Sequence, residues 1–108
     1  MSFADNLKTL PSVSHLAALH LIDAEGQQVA TLENRPGQAG SLAVYHALAL
    51  RHGGITPEAA REGLELYAEH TADARAFPGK HPNIDRLLAC AEGEGSYRVE
   101  GVQAAGRH

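Results

Sequence analysis

Leu16-Ala-Ala-Leu-His-Leu-Ile22 and Gln28-Val-Ala-Thr-Leu32 flank the short polar stretch Asp23-Ala-Glu-Gly26-Gln27. An Asp that opens a short loop and a Gly that closes it suit a type I turn followed by a left-handed glycine. Two apolar runs joined by such a turn predict an antiparallel β-hairpin. Before it, Phe3 to Leu10 reads as a short helix or turn that stops at Pro11, because proline disfavours helix in the residue ahead of it.

After the hairpin the pattern turns helical. Glu33 to Gly40 reads as a loop, and Ser41 is placed to cap a helix over Leu42–His52 that Gly53-Gly54 ends. Leu42, Ala43, Val44, Ala47, Leu48, Ala49 and Leu50 make this helix apolar on nearly every side, which predicts burial all round. Thr56-Pro57-Glu58 is a strong helix start: a capping Thr, a Pro at the first helical position and an acid at the positive end of the dipole. That helix is expected to run to about Ala76, with Ala60, Leu64, Tyr67, Thr71 and Ala74 on one stripe joined by Leu66 and Phe77. Pro78-Gly79 breaks it. A third helix follows Pro82, with Ile84, Leu87, Leu88 and Ala91 at helical spacing. Ser96-Tyr-Arg-Val-Glu100 alternates as a half-buried strand, and the tail beyond Val102 is expected to fray. The order hairpin, helices, strand predicts an α+β fold: a β-hairpin plus a C-terminal strand forming a small sheet packed against three helices, in a single domain spanning residues 1–108.

The bulk numbers exclude several functions. The formal net charge is −4, from 9 Lys+Arg against 13 Asp+Glu. The basic residues are scattered, so neither a nucleic-acid partner nor an anionic membrane surface is expected. Cys90 is the only cysteine, so no internal disulfide and no Cys-x-x-Cys site exists, and its place near a helix end suits a structural thiol. No signal-like segment or membrane-length apolar run is present, which makes the cytoplasm the expected compartment. With few aromatics and no Trp, the core must be largely Leu and Ala. Small side chains bury little area each, so burial against a second copy is expected, and a self-associating binding or interaction module is the first functional reading.

The alternative is a small-molecule enzyme or anionic-metabolite binder built on two Pro-Gly loops. Arg35-Pro-Gly-Gln-Ala-Gly-Ser41 leads into a helix, whose start offers unpaired N–H groups, and Arg35 and Ser41 could hold an anion there. Pro78-Gly-Lys-His-Pro-Asn-Ile-Asp85 repeats the theme with Lys80 and Asn83. A cation at a helix start opposes the dipole, which hints that Lys80 and His81 face an anion or a carboxylate. Glu69, His70 and Asp73 lie one short loop away. A carboxylate beside an imidazole orients it for acid–base work, so His70 and His81 are the candidate proton carriers, with Glu69 or Asp85 orienting them. Glu58, Glu62, Glu65, Glu69 and Asp73 recur at helical steps and read as a solvated acidic face. Tyr45 and Tyr67 are expected to fill the core. No metal is expected: His46 and His52 lie far round their helix from one another, and no paired-His motif occurs. No residue pattern names a cofactor or settles whether the chain is an enzyme.

Pro36-Gly-Gln-Ala-Gly-Ser-Leu-Ala-Val-Tyr-His46, Glu62-Gly-Leu-Glu-Leu-Tyr-Ala-Glu-His-Thr71 and Pro78-Gly-Lys-His-Pro-Asn-Ile-Asp-Arg-Leu-Leu88 together resemble a small bacterial family of uncharacterised cytosolic proteins, a domain of unknown function. The resemblance spans most of the chain. It implies a bacterial, single-domain, soluble protein, and it carries no activity and promotes no residue to a catalytic role.

Overall fold

The computed structural model describes residues 2–104. Its elements are α1 (Phe3–Leu7), β1 (Leu16–Ile22), β2 (Gln28–Glu33), α2 (Ala39–His52), α3 (Pro57–Tyr67), α4 (Glu69–Ala76), α5 (Pro82–Ala91) and β3 (Arg98–Gln103). The three strands form one antiparallel sheet in the order β2-β1-β3, so the fold is α+β as expected.

The hairpin forms for the reason its sequence suggests. Asp23 Oδ1 accepts from the N–H groups of Glu25 and Gln27, and Gly26 takes a φ of 85° that a side chain would resist. The register shifts at Leu21/Ile22, so Ile22 pairs with Gln28 and Val29 is left as an extra, bulged residue of β2. Leu19 and Leu21 of β1 and Leu32 of β2 join a single core cluster with Leu42, Tyr45 and Leu48 of α2, Tyr67 of α3 and Leu87 of α5. β3 pairs with β1 from Leu16↔Gln103 to Ile22↔Arg98. It begins later and runs further than its alternation suggests. Tyr97 falls outside it and bridges to Ile55 instead. The fraying expected beyond Val102 does not begin there, because Gln103 pairs with Leu16 and the Ala104 N–H donates to His15 O at 3.0 Å. Residues 105–108 of that tail lie outside the described residues.

Among the described residues, five helices stand where three were expected. The short one at the start is α1, held by a capping box between Ser2 and Asp5. The other difference is the helix expected to run unbroken to Ala76. It breaks at Ala68, which has φ 55° and ψ −118° and is the one described non-glycine residue with positive φ. The break turns α4 away while keeping both halves satisfied: the Thr71 hydroxyl donates to Leu64 O at the end of α3, at 2.6 Å. It also carries Phe77 out of the expected apolar stripe, leaving it 56% exposed.

α2 begins earlier than expected. Gln38 is its N-cap residue but makes no side-chain capping bond. Its amide oxygen is spent on the Glu33 N–H, at 2.9 Å. The Gln38 and Ala39 N–H groups both fold back on Arg35 O, which starts the helix ahead of Ser41. Ser41 is therefore inside α2 and not its cap. Leu42, Val44, Tyr45, Ala47 and Leu48 are fully buried, whereas Leu50 is 62% exposed, so the helix is not buried all round. α3 comes close to α2 and α5 because Gly63 has no side chain: a Cβ there would lie 2.7 Å from Leu87 Cδ1 and 2.8 Å from Leu48 Cδ1. Among the described residues no helix is long and apolar enough to cross a membrane.

Candidate functional site

The turn after α4 gathers polar groups around Asp73. Asp85 Oδ2 accepts from the Gly79 N–H at 2.9 Å, which closes the loop from Pro78 to Asp85. His81 occupies the N-cap position of α5 but makes no side-chain cap. Its ring is engaged elsewhere, with Nε2 2.6 Å from Asp73 Oδ2. Lys80 Nζ reaches the same oxygen at 3.0 Å. Hydrogen bonds from His81 and then Lys80 hold the Asp73 carboxyl below its usual range.

A second network fixes α5 to α2. Tyr45 is fully buried, and its hydroxyl donates to Asn83 O at 2.6 Å. The Arg86 guanidinium donates to the Tyr45 oxygen at 3.1 Å and to Asn83 Oδ1 at 2.9 Å. Burial pushes the Tyr45 phenol up to about 12, against the pull of Arg86. Across the site, Tyr67 donates to Ser41 Oγ at 2.6 Å. Phe3 stacks on Tyr67 at 5.2 Å between ring centroids and meets His70 edge-on at 5.1 Å. Burial raises the Tyr67 phenol as well.

Some members of these networks line a cavity of about 260 Å³, while Asp73, Tyr45 and Arg86 hold them in place from behind. Gly37 and Ser41 from the first loop and the start of α2 line one side, with Phe3, Tyr67 and His70. Lys80, His81, Asn83 and Ile84 from the second loop and the start of α5 line the other. The rings of His70 and His81 stand 5.9 Å apart between centroids.

Of the residues picked out from the sequence, Ser41, His70, Lys80, His81 and Asn83 thus share one cavity. Glu69, Arg35 and Asp85 do not line it. Glu69 Oε1 accepts from the Phe3 N–H at 2.9 Å, Arg35 Nε pairs with Glu33 at 2.8 Å, and Asp85 holds the loop. The carboxylate on His81 is Asp73, rather than Glu69 or Asp85. Sequence reasoning placed Asp73 in the cluster without giving it that role, and it missed Arg86 altogether. A buried tyrosine hydroxyl needs a partner, which is the one signal that could have led from Tyr45 to Arg86 and from Tyr67 to Ser41.

The acidic face is less free than expected. Glu62 is held by Arg51 and by His52, whose Nε2 is 2.7 Å from Oε1. His52 and then Arg51 lower its carboxyl. Among the described residues no three His, Cys, Asp or Glu side chains gather into a group that could hold a metal ion. Cys90 is fully buried, with Sγ 3.6 Å from Ile55 O, and burial raises its thiol.

The sequence model of an uncharacterised protein conserved in bacteria (DUF2322) matches residues 3–101. The chain belongs to this family. No curated protein and no solved structure matches it. The span shared with DUF2322 takes in every helix and both strands of the hairpin, and so every residue that lines the cavity.

Proposed function

We propose that this DUF2322 chain binds a small anionic molecule in the cavity between α2, α4 and α5. The observation that carries this reading is convergence. The start of α2, the start of α4 and the loop into α5, far apart in sequence, bring an ammonium, two imidazoles and a serine hydroxyl onto one 260 Å³ cavity. Ser41 Oγ accepts from Tyr67 and so keeps its own proton to donate. The test is a thermal-shift screen with small carboxylates, phosphates and sulfates. A ligand at 100 times its dissociation constant adds about 2.7 kcal/mol, which moves the midpoint of a domain this size by several degrees or more. The shift is expected to vanish in Lys80→Ala and His81→Ala. A well-folded chain that responds to no anion counts against the reading.

The His81–Asp73 contact favours a second reading, in which the same site does acid–base chemistry. Asp73 orients the ring through Nε2, as a carboxylate does for a working histidine. His70 and His81 would then move the proton, with Lys80 holding the substrate anion. Turnover lost in His81→Gln with binding retained would mark this reading.

Self-association, the first reading from sequence, rests on a core of small side chains, on the lack of a strong catalytic motif and on an all-apolar α2 in need of cover. Leu42, Val44, Tyr45, Ala47 and Leu48 are already buried within one chain. Exposed Leu50, Phe77 and Val29 are what remain to support a homo-oligomer, and the solution mass at high concentration tests it.

A further inference from the structure

The charges around the cavity nearly cancel, and this limits what it can hold. Lys80 and His81 converge on Asp73. Glu69 lies 3.9 Å from His70 Nε2. α1 and α3 contribute Phe3 and Tyr67, and α2 with the loop before it contributes Ser41 and Gly37, none of them charged. From α5, Asn83 and Ile84 add no charge. Asp85 and Arg86 do not line the cavity; they are opposite in sign and are spent on Gly79 and on Tyr45 and Asn83. With both imidazoles neutral, one ammonium faces two carboxylates and the site carries one net negative charge. With both protonated, that becomes one net positive charge. Two imidazolium rings 5.9 Å apart repel one another. A doubly charged group beside both rings offsets that repulsion.

We infer, resting on the anion-site reading above, that the cavity takes a doubly charged phosphate group on a small organic body, and only while His70 and His81 carry protons. The volume supports the organic body. A water's share of liquid is about 30 Å³, so 260 Å³ holds well more than a bare tetrahedral ion. Phe3, Tyr67 and Ile84 offer the rest of the molecule an apolar surface. Histidine is the side chain that ordinarily changes charge between about pH 5 and 8, so the gate is sought across that range.

Sulfate is the test probe, because it stays a dianion throughout. Binding to the full chain is measured by NMR titration at about pH 5.5 and about pH 8, at constant ionic strength, bracketing histidine ionisation. Sulfate is expected to bind at least about tenfold more tightly at the lower pH, and to raise the titration midpoints of both histidines, as reciprocal linkage requires. Acetate, a monoanion, is expected to bind weakly at both pH values. Phenyl phosphate is expected to bind more tightly than inorganic phosphate; equal affinity overturns the organic-body part. His81→Gln, or His70→Asn should the first variant fail to fold, is expected to flatten the pH dependence. Sulfate bound equally at both pH values overturns the gate and leaves the anion site standing. No anion bound at either pH overturns the anion site itself.

Discussion

The imidazole of His81 and the carboxylate of Asp73 meet at 2.6 Å across the end of α4, and that contact fixes which way the α5 loop faces. His81 would otherwise be free to cap α5. Drawn to Asp73, it stands with Lys80 on the cavity wall. The contact has a pH signature. His81 and then Lys80 hold the Asp73 carboxyl below its ordinary 3.8. A carboxyl depressed in the folded state stabilises it in full above the ordinary value and loses that contribution as pH falls through the lower, folded one. Urea unfolding of wild type and Asp73→Asn is therefore expected to show wild type more stable near pH 5, with the gap closing as the solution is acidified below 3.8. A gap independent of pH would mean that Asp73 does not act as a charge. Glu62, depressed by His52 and Arg51 from 4.5, loses stability in the same direction.

The opposite wall makes an asymmetric prediction. Tyr67 donates to Ser41 while its ring is buried. Tyr67→Phe removes one neutral hydrogen bond, at about 0.5–1.5 kcal/mol. Ser41→Ala leaves the buried phenol without its acceptor, at about 1–3 kcal/mol. The double variant is expected to be no less stable than Ser41→Ala alone, because Phe leaves nothing unpaired. Denaturant midpoints of the four proteins test the cycle, and strict additivity would break it.

Tyr45 predicts the alkaline limit. Its phenol ordinarily titrates at 10.0 and is pushed up to about 12 by burial. Between those values the unfolded chain loses the proton and the folded chain keeps it, so stability falls as pH rises through that window. Phenolate absorbance is expected to appear for this residue together with the unfolding transition. In Tyr45→Phe the alkaline loss is expected to be smaller, at the cost of the bonds to Asn83 and Arg86.

Local structure was legible where a residue has a conformational reason to be in its place. Asp23 and Gly26 announce the hairpin turn, and Thr56-Pro57 the start of α3. The break at Ala68 was not legible, because it uses neither Gly nor Pro. The apolar stripe runs across it with Thr71 and Ala74 still buried. Convergence of the two loops was not legible either. It depends on Tyr45–Asn83 and Tyr67–Ser41, contacts between distant helices that periodicity does not encode.

Ala68 itself carries a test. An alanine at φ 55° and ψ −118° is strained by roughly 1–3 kcal/mol relative to relaxed backbone. Glycine relieves that strain but has more freedom to lose on folding. Ala68→Gly is expected to stabilise the chain by about 1 kcal/mol, read as a raised urea midpoint at unchanged slope. A loss of stability would show that the α3–α4 junction is not strained.

Gly63 and Leu48 are coupled by space. Leu48 is fully buried, so Leu48→Ala is expected to cost about 2–5 kcal/mol. Gly63→Ala gains about 1 kcal/mol of helix propensity but drives a methyl to within 2.8 Å of Leu48 and 2.7 Å of Leu87. Overpacking of that kind costs about 1–3 kcal/mol, and the single variant is expected to lose stability on balance. In the Leu48→Ala background half of that clash is gone, and the new methyl fills part of the cavity left behind. The double variant is therefore expected to be more stable than the sum of the singles by at least about 0.5 kcal/mol, the scale of coupling between residues in contact. Simple additivity would mean that α2 and α3 do not meet at this point.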